Sequence, residues 1–133
     1  MKKTILSIIA AVALCSCGTT AVSDIAGKSF ILTELNSTEL PVLDEQNPPM
    51  ITFEGGRVSA TVGFNSIFAD YGTGRDGSLT LSKAGSTQML SPEESREDEF
   101  IQAFNSIVSY SLDGDAVCFM DKDGNVLLRG VVR

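Results

Sequence analysis

The sequence predicts a mainly β fold of the α+β class, in which a small antiparallel sheet of about seven strands curls into an open or partly closed barrel around one amphipathic helix. Two observations lead to this prediction. Most of the chain consists of short segments in which apolar and polar residues alternate, separated by turns rich in glycine. Helical spacing of apolar residues occurs in a single stretch, and a single helix must bury its apolar face against the sheet.

Alternating segments in the first two thirds of the chain predict the early strands. The segment 28–35 alternates Phe30 and Leu32 with polar residues, and the segments 50–53 and 58–64 flank a tight Glu-Gly-Gly-Arg turn. Further strands are predicted at 67–71 and 78–81. The remaining segments are predicted to be a long proline-containing loop at 36–49, a glycine-rich loop at 72–77 and an irregular segment or short strand at 83–90.

One amphipathic helix is predicted at 92–107. Ser91 is its cap, Pro92 its first residue, and Glu94 completes a capping box three residues after the cap. The apolar face is expected to consist of Phe100, Ile101, Phe104, Ile107 and Val108. Strands at 109–112, 116–120 and 126–131 are predicted to close the chain, joined by the turns Asp113-Gly114-Asp115 and Asp123-Gly124-Asn125.

The beginning of the chain resembles a bacterial lipoprotein leader. Two lysines form a positive n-region, the apolar run 5–14 is too short to span a bilayer, and Ser16 is the small residue before the proposed cut. Cys17 is the predicted lipidation site, because the alternative, Cys15, follows a bulky leucine. An ordinary cleaved signal peptide without lipid is the other interpretation. We therefore expect a signal peptide at 1–16, a lipidated tether at 17–26 and one domain at 27–133.

A lipid anchor at Cys17 predicts a location in the cell envelope. Two or three acyl chains hold a protein firmly at a membrane, whereas a single chain binds reversibly. Gly18 stands where enteric bacteria place the aspartate that retains lipoproteins in the inner membrane, so the outer membrane is expected. No acidic cluster follows Cys17 directly, and we expect the domain to face the periplasm.

Composition argues against several classes of function. The chain has 17 acidic and 10 basic residues and a formal net charge of −7, which argues against binding to nucleic acid. It contains no histidine, the commonest general base and zinc ligand. Cys118 lies between Val117 and Phe119 and is expected to be a lone thiol in the core. No catalytic residue, cofactor or metal ligand is predicted.

Three apparent motifs are interpreted as structural. The sequence Gly-Thr-Gly-Arg-Asp-Gly at 72–77 fits a dinucleotide-binding pattern, but a strand follows where that pattern needs a helix. The run 121–125 begins like a calcium loop, yet valine occupies the sixth and twelfth positions of that loop. Five acids between Glu93 and Glu99 are interpreted as a solvated face matched to the helix dipole rather than as catalytic carboxylates.

From about residue 25 to residue 133 the chain resembles the META/HslJ-like family of envelope proteins. Phe30 and Leu32 stand where the family has an aromatic residue and a leucine on its first strand. Ile-Thr-Phe at 51–53 and Gly-Arg-Val-Ser at 56–59 match a strand and turn before a Gly-Cys-Asn motif. That motif is Gly-Phe-Asn here, and Thr-Gln-Met-Leu-Ser at 87–91 stands where Thr-x-Met-Ala-Cys is usual. The matching motif positions are Gly63, Asn65, Thr87 and Met89.

A structural role is favoured for these motif positions. Asn65 is expected to order a strand corner by bonding the backbone, since asparagine tolerates left-handed geometry. Phe64 and Ser91 replace the two motif cysteines, which the resemblance implies lie close enough to bridge in relatives that carry both, so no redox role is carried over. The resemblance implies a small lipocalin-like or cracked β-barrel with one helix, and it implies no reaction or cofactor.

The function expected is that of a membrane-anchored envelope lipoprotein. Its non-enzymatic domain would bind an unknown envelope protein or support tolerance of envelope stress, to which the resembled family is often linked. The alternative is a carrier of a lipid or small hydrophobic ligand, which needs a cavity that Phe100, Phe104 and the strand side chains leave open. An enzyme would need a buried carboxylate with a raised pKa.

Overall fold

Alternating burial along the strands confirms the mainly β fold. The computed structural model describes residues 25–62, 65–87 and 96–133. Side chains such as Phe30, Ile51 and Val58 point inward and are buried, while those between them lie on the outer face. The described residues form the helix α1 (Glu97–Phe104) and the strands β1 (Ser29–Leu35), β2 (Thr38–Glu39), β3 (Met50–Glu54), β4 (Arg57–Val62), β5 (Asn65–Thr73), β6 (Leu79–Ser86), β7 (Ser109–Asp113), β8 (Ala116–Met120) and β9 (Val126–Val132).

The sheet follows one antiparallel path whose two ends meet. The strand order is β6-β5-β4-β3-β1-β9-β8-β7, and β2 pairs with β1 beside this path. Ser78, just before β6, forms an antiparallel bridge with Ser109 at the start of β7. The Tyr110 N–H donates to the Gly77 carbonyl over 2.9 Å at the same place. The sheet is therefore a nearly closed barrel whose seam is this short contact, as the expected cracked barrel requires.

Aromatic rings pack against one another in the barrel interior. Phe53 stacks on Phe119 with ring centroids 5.9 Å apart, and Phe30 meets both rings edge-on at 6.4 Å. Tyr71 contacts Phe53 edge-on at 5.0 Å. Edge-to-face and offset contacts at these distances add to the stabilisation that burial of the rings provides. Phe100 of α1 is also buried in this core.

The helix is shorter than predicted. α1 begins at Glu97, because Arg96 has a left-handed backbone, with φ 57°, that a continuous helix from residue 92 cannot contain. The predicted capping box lies outside the described residues. The prediction that Val108 joins the apolar helix face is wrong: its side chain is 43% exposed, because its N–H donates to the Met120 carbonyl and extends the β7–β8 ladder. Within the described residues, no helix has the length and apolarity needed to cross a bilayer.

One loop prediction differs from the structure, and the structure decides between the two alternatives given for another segment. β2 lies within the segment predicted to be a loop, because Asn36 and Ser37 both adopt positive φ and turn the chain back onto β1. Only two residues then pair with β1, too few for alternation to be visible in the sequence. β6 extends to Ser86, so the first part of the segment 83–90, predicted to be irregular or a short strand, is strand. A register shift opposite β5 interrupts the alternation there.

Cys118 is not the lone core thiol that the sequence predicts. It is disulfide-bonded, and its partner lies outside the described residues. It is 3% exposed, yet it points away from the barrel interior that Val117 and Phe119 enter from the same strand. Arg129 lies opposite Cys118 on β9, and its guanidinium Nη1 donates to the Cys118 sulfur over 3.4 Å.

The packed domain includes Ile25. This residue falls in the segment that the sequence analysis assigns to the tether, and its side chain is fully buried in the core. The Gly27 N–H donates to the Phe53 carbonyl over 2.8 Å, which holds the entering chain against β3. The packed domain therefore includes residues that lie before the predicted boundary at residue 27.

Replacing Gly77 with alanine should weaken the closure of the barrel. Gly77 has φ 85°, and a Cβ added there would lie 2.9 Å from the Tyr110 carbonyl oxygen. Left-handed strain and this contact should lower the free energy of unfolding by about 2 kcal/mol, measured by urea denaturation. Gly72→Ala is the control, since an added Cβ there meets nothing within 4 Å, and its effect should stay within about 0.5 kcal/mol. If Gly77→Ala and Gly72→Ala lost equal amounts of unfolding free energy, the seam would not be the cause of the loss.

Candidate functional site

Two of the predicted motif positions come together at the start of the helix. Asn65 is the first residue of β5 and is 5% exposed, and Thr87 directly follows β6. The Thr87 hydroxyl donates to Asn65 Oδ1 over 2.8 Å. Asn65 Nδ2 donates to Glu97 Oε1 over 2.8 Å, and the Asn65 backbone N–H donates to Glu97 Oε2 over 3.1 Å. We call Asn65, Thr87 and Glu97 the motif cluster.

The chemistry of the motif cluster fixes the direction of each hydrogen bond. An ionised Glu97 carboxylate can only accept, so the amide nitrogen of Asn65 must face it and the amide oxygen must face Thr87. Thr87 must then donate its hydroxyl proton, which leaves its oxygen free to accept the Ser66 N–H over 3.0 Å. The result is a continuous chain of bonds from the β5 backbone to the helix carboxylate, and the two bonds that Asn65 donates to Glu97 are charge-assisted.

Helix geometry explains why Glu97 faces this cluster. Phe100 and Phe104 lie three and seven positions further along α1, on the same face, and both are buried. Glu97 therefore starts the inward face, whereas Asp98 points to solvent. Sequence reasoning missed Glu97 by grouping it with its acidic neighbours. The spacing from Glu97 to Phe100 and Phe104 is the signal that identifies it.

A second group of polar side chains attaches the other side of the helix start to β1. The Arg96 guanidinium makes a bidentate ion pair with Glu99, with Nε and Nη2 each 2.8 Å from a carboxylate oxygen. Arg96 Nη2 also donates to the Leu35 carbonyl over 3.0 Å. Asn36 Nδ2 donates to Glu99 Oε2 over 2.8 Å. We call Arg96, Glu99 and Asn36 the arginine clasp.

Electrostatics favour the charged forms of the clasp. Hydrogen bonds from Arg96 and from Asn36 hold the pKa of Glu99 below its ordinary value. The same carboxylate raises the pKa of Arg96, so the guanidinium stays charged. Glu99 therefore remains an ionised acceptor, the opposite of the raised pKa that a general acid needs. Glu97 and Glu99 lie in the first turn of α1, as the dipole-matched interpretation expects, but both carboxylates also accept hydrogen bonds from specific side chains rather than facing solvent alone.

The other predicted positions are placed as follows. Cys17, Gly63 and Met89 lie outside the described residues. Asn65 keeps a structural role, but its φ is not positive, and its contact is with a helix carboxylate rather than through a left-handed corner. Asp121 accepts the N–H groups of residues 123 and 125 and so forms a turn rather than a calcium loop. Over the described part of the chain, no group of three potential metal ligands is present.

Comparison with known proteins identifies the family. The model of the META domain matches residues 23–131, nearly all of the packed part of the chain. This chain belongs to the META domain family. The match begins close to Ile25, which is buried in the core, and it confirms the resemblance inferred from the motif residues. No curated protein gives a significant match to this sequence.

Solved structures share the META-domain fold. An NMR structure of a protein from Burkholderia xenovorans is 16% identical, with a TM-score of 0.65 over 82% of this chain and 83% of that chain. A second NMR structure is 18% identical, with a TM-score of 0.62 over 79% and 89% of the two chains. A crystal structure of a DUF4847 family protein from Bacteroides vulgatus is 16% identical, with a TM-score of 0.57 over 80% and 93%. Such low identities establish the fold alone.

Converting Asn65 to aspartate should destabilise the META domain. The new carboxylate would face the Glu97 carboxylate at the position of a donor that now lies 2.8 Å away. Lost bonding and like-charge repulsion should lower the free energy of unfolding by about 3 kcal/mol, measured by urea denaturation at neutral pH. Asn105→Asp, at an exposed position beyond the helix end, should change it by about 0.5 kcal/mol or less. If Asn65→Asp left the free energy of unfolding unchanged, the motif cluster would contribute nothing to stability.

The arginine clasp should make stability depend on pH in the acid range. The pKa of Glu99 is lowered in the folded state, so its contribution is complete above the ordinary glutamate pKa. That contribution is lost as the pH falls through the lower folded value. The stability difference between the wild type and Glu99→Gln should therefore shrink between about pH 7 and about pH 3, measured by urea denaturation at each pH. Asp98→Asn, which removes an exposed carboxylate, is the control. If the stability difference between the wild type and Glu99→Gln grew as the pH fell, Glu99 would not be the source of this pH dependence.

Proposed function

We propose that this META-domain chain is a lipid-anchored protein of the cell envelope whose domain acts by binding another protein and not by catalysis. The observation that carries the proposal is the use of the motif residues. Asn65 bonds both to Thr87 and to Glu97 of the helix, so these two family motif residues, Asn65 and Thr87, serve to fix the helix on the sheet. A scaffold fixed in this way presents an outer surface to a partner.

Packing of the interior supports a protein partner over a hydrophobic ligand. Phe30, Phe53 and Phe119 contact one another within the barrel and are 0% exposed. Phe100 and Phe104 enter the same core from the helix and are at most 1% exposed. A carrier needs an apolar cavity that admits its ligand, and a ligand at these positions would have to displace close-packed rings.

The states of the carboxylates support a non-enzymatic role. Catalysis by a carboxylic acid needs a pKa raised towards neutrality. In the part of the chain that the structure describes, hydrogen bonds to neighbouring groups lower the pKa values of Asp44, Asp76, Glu99 and Asp121. These groups remain ionised acceptors that order turns and the helix start.

The distance from the proposed anchor supports action close to a membrane. Cys17 is the proposed lipidation site, and Ile25, eight positions further along the chain, is buried in the domain. Eight residues of extended chain reach at most about 26–29 Å. The domain is then held within a short distance of the outer membrane, where the proposed partner would also lie.

The lipid anchor can be tested on the full chain expressed in a bacterial envelope. The intact mass of the detergent-extracted protein should equal the chain from Cys17 onward plus covalent acyl groups, because the thioether to Cys17 survives extraction. Cys17→Ser should abolish the acyl mass, and Cys15→Ser should leave it unchanged. A solvent extract of the same sample should contain no stoichiometric lipid. If lipid bound non-covalently in a stoichiometric amount, the domain would be a lipid carrier, and the proposal that it binds a protein partner would be rejected.

The thiol state of Cys118 provides a second readout in the same sample. Removal of residues 1–16 takes away Cys15, and lipidation uses the sulfur of Cys17, so neither sulfur can form a disulfide with Cys118 in the proposed mature lipoprotein. After denaturation without reductant, Cys118 should therefore react with a maleimide, even though the structure of the full chain pairs it in a disulfide. A disulfide between Cys118 and Cys17 in the mature protein would overturn the lipid anchor.

A further inference from the structure

Three outward-facing side chains stand side by side on the last three strands of the barrel. Ser111 on β7 is paired in register with Cys118 on β8, and Cys118 is paired with Arg129 on β9. All three point away from the interior, because the residue before each of them along its strand belongs to the core and side chains alternate along a strand. We call Ser111, Cys118 and Arg129 the cysteine row.

Two small side chains of the cysteine row are buried although they face outward. Ser111 is 6% exposed and Cys118 is 3% exposed. Other small side chains on the outside of the sheet are accessible: Ala116, the next outward position on β8, and Ser59 on β4 are exposed. Arg129 shields the Cys118 sulfur from the β9 side, whereas Ser111 lies on the other side of Cys118. A further part of the chain therefore covers the row.

The disulfide of Cys118 identifies the segment that covers the row. The chain contains three cysteines, so the partner of Cys118 is Cys15 or Cys17. Both precede Ile25, which is fixed in the core. A disulfide requires the Cα atoms of its two residues to lie within about 7 Å of each other. The bond therefore brings the chain before Ile25 to the outer side of β8.

The chain before β1 is long enough to reach the row. Cys118 lies two strands from β1, which is about 10 Å. The residue of β1 in the same row is Glu34, five positions or about 17 Å from Ser29 at the start of that strand. The distance from Ser29 to Cys118 is therefore about 20 Å. Cys17 stands twelve positions before Ser29, and an extended chain of that length reaches about 40 Å. The segment can thus turn back over the sheet while Ile25 stays in the core.

We propose that the tether of residues 18–24 packs on the cysteine row in the lipidated protein, so that β7, β8 and β9 form the side of the domain that faces the membrane. The packing rests on the proposed lipid anchor, because lipidation of Cys17 excludes the disulfide and side-chain contacts alone then hold the tether.

The chemistry of the tether suits the surface that it would cover. Residues 18–23 read Gly-Thr-Thr-Ala-Val-Ser and carry no charge, and Asp24 stands next to Ile25. Both buried side chains of the row are likewise small and uncharged, and its one charge, Arg129, pairs with Glu34 at 3.2 Å. Small neutral side chains pack on such a surface without burying an unpaired charge. Because Ile25 is fixed in the core, the contact is intramolecular and gains from a high effective concentration.

The packed tether decides which strands remain accessible to a partner. Acyl chains on Cys17 would leave the domain beside β8. In the strand order around the barrel, β4 lies across from β8, with β3 and β5 on either side of it. The proposed partner would therefore approach from the side of β3, β4 and β5, away from the membrane.

Thiol reactivity on the full lipidated chain tests the packing. Membranes are treated with a maleimide under native conditions, and the modified fraction of Cys118 is followed over time by mass spectrometry. Ala21→Glu with Val22→Glu places carboxylates at successive tether positions, and one of them must face the row because side chains alternate in an extended chain. Cys118 should react at least about tenfold faster in this variant than in the wild type, because the reagent reaches the sulfur only when the tether lifts off.

Two controls separate the packing from other effects. Val42→Glu with Leu43→Glu adds the same charges in a loop where both side chains are exposed, and it should leave the rate of Cys118 unchanged. Ser59→Cys in a Cys118→Ser chain gives the rate of an accessible thiol, which should exceed that of Cys118 in the wild type at least about tenfold. Protease resistance of each variant in membranes checks that it is folded.

Two results would overturn the packing. One is an equal rate for Cys118 in the wild type and in the variant with Ala21→Glu and Val22→Glu. The other is a wild-type rate equal to that of the accessible thiol at position 59. Acyl mass is measured on the same membranes. A lipidated chain with either result rejects the packing alone, whereas a chain without acyl groups rejects the anchor and the packing with it. The two failures are therefore distinguishable.

Discussion

The structure depends on the partners of one carboxylate, at the point where the chain enters its helix. Glu97 is the first residue of α1 and lies partly out of water, where an ionised group without donors costs several kcal/mol. Asn65 supplies two N–H groups to it, one from the side chain and one from the backbone. Because Phe100 and Phe104 follow on the same face, the contact also fixes which side of the helix enters the barrel.

The arginine clasp completes this attachment from the opposite side. Arg96 turns left-handed just before α1, and its guanidinium bonds both to Glu99 and to the Leu35 carbonyl at the end of β1. The helix start is thus tied to β5 through the motif cluster and to β1 through the clasp, two strands that are separated by β3 and β4 in the sheet. The helix, attached to both strands, connects β6 to β7 along the chain. The hydrogen bond from Tyr110 to Gly77 then joins these two strands at the seam of the barrel.

Alternating residues and turn residues in the sequence predict most of the fold, but they do not predict the motif cluster. Period-two segments and Asp-Gly turns located most strands, because strand burial repeats locally in the sequence. The left-handed Arg96 shortened the helix, and alternation and spacing do not reveal it, since its guanidinium also bonds to a carbonyl 61 residues away. Asn65 and Thr87 were found by resemblance to a family. Their partner Glu97 was missed, because a contact over 32 residues depends on the packed helix.

The central claim is that the hydrogen bonds between Asn65 and Glu97 couple the helix to the sheet. A double-mutant cycle with Asn65→Ala, Glu97→Ala and the double variant measures that coupling directly, from urea denaturation at neutral pH and low salt. We expect the effects of the two single changes to exceed additivity by about 1.5–3 kcal/mol, as for hydrogen bonds to a charged group. Strict additivity, with a coupling free energy of about zero, would contradict the account, because the two residues would then stabilise the barrel independently.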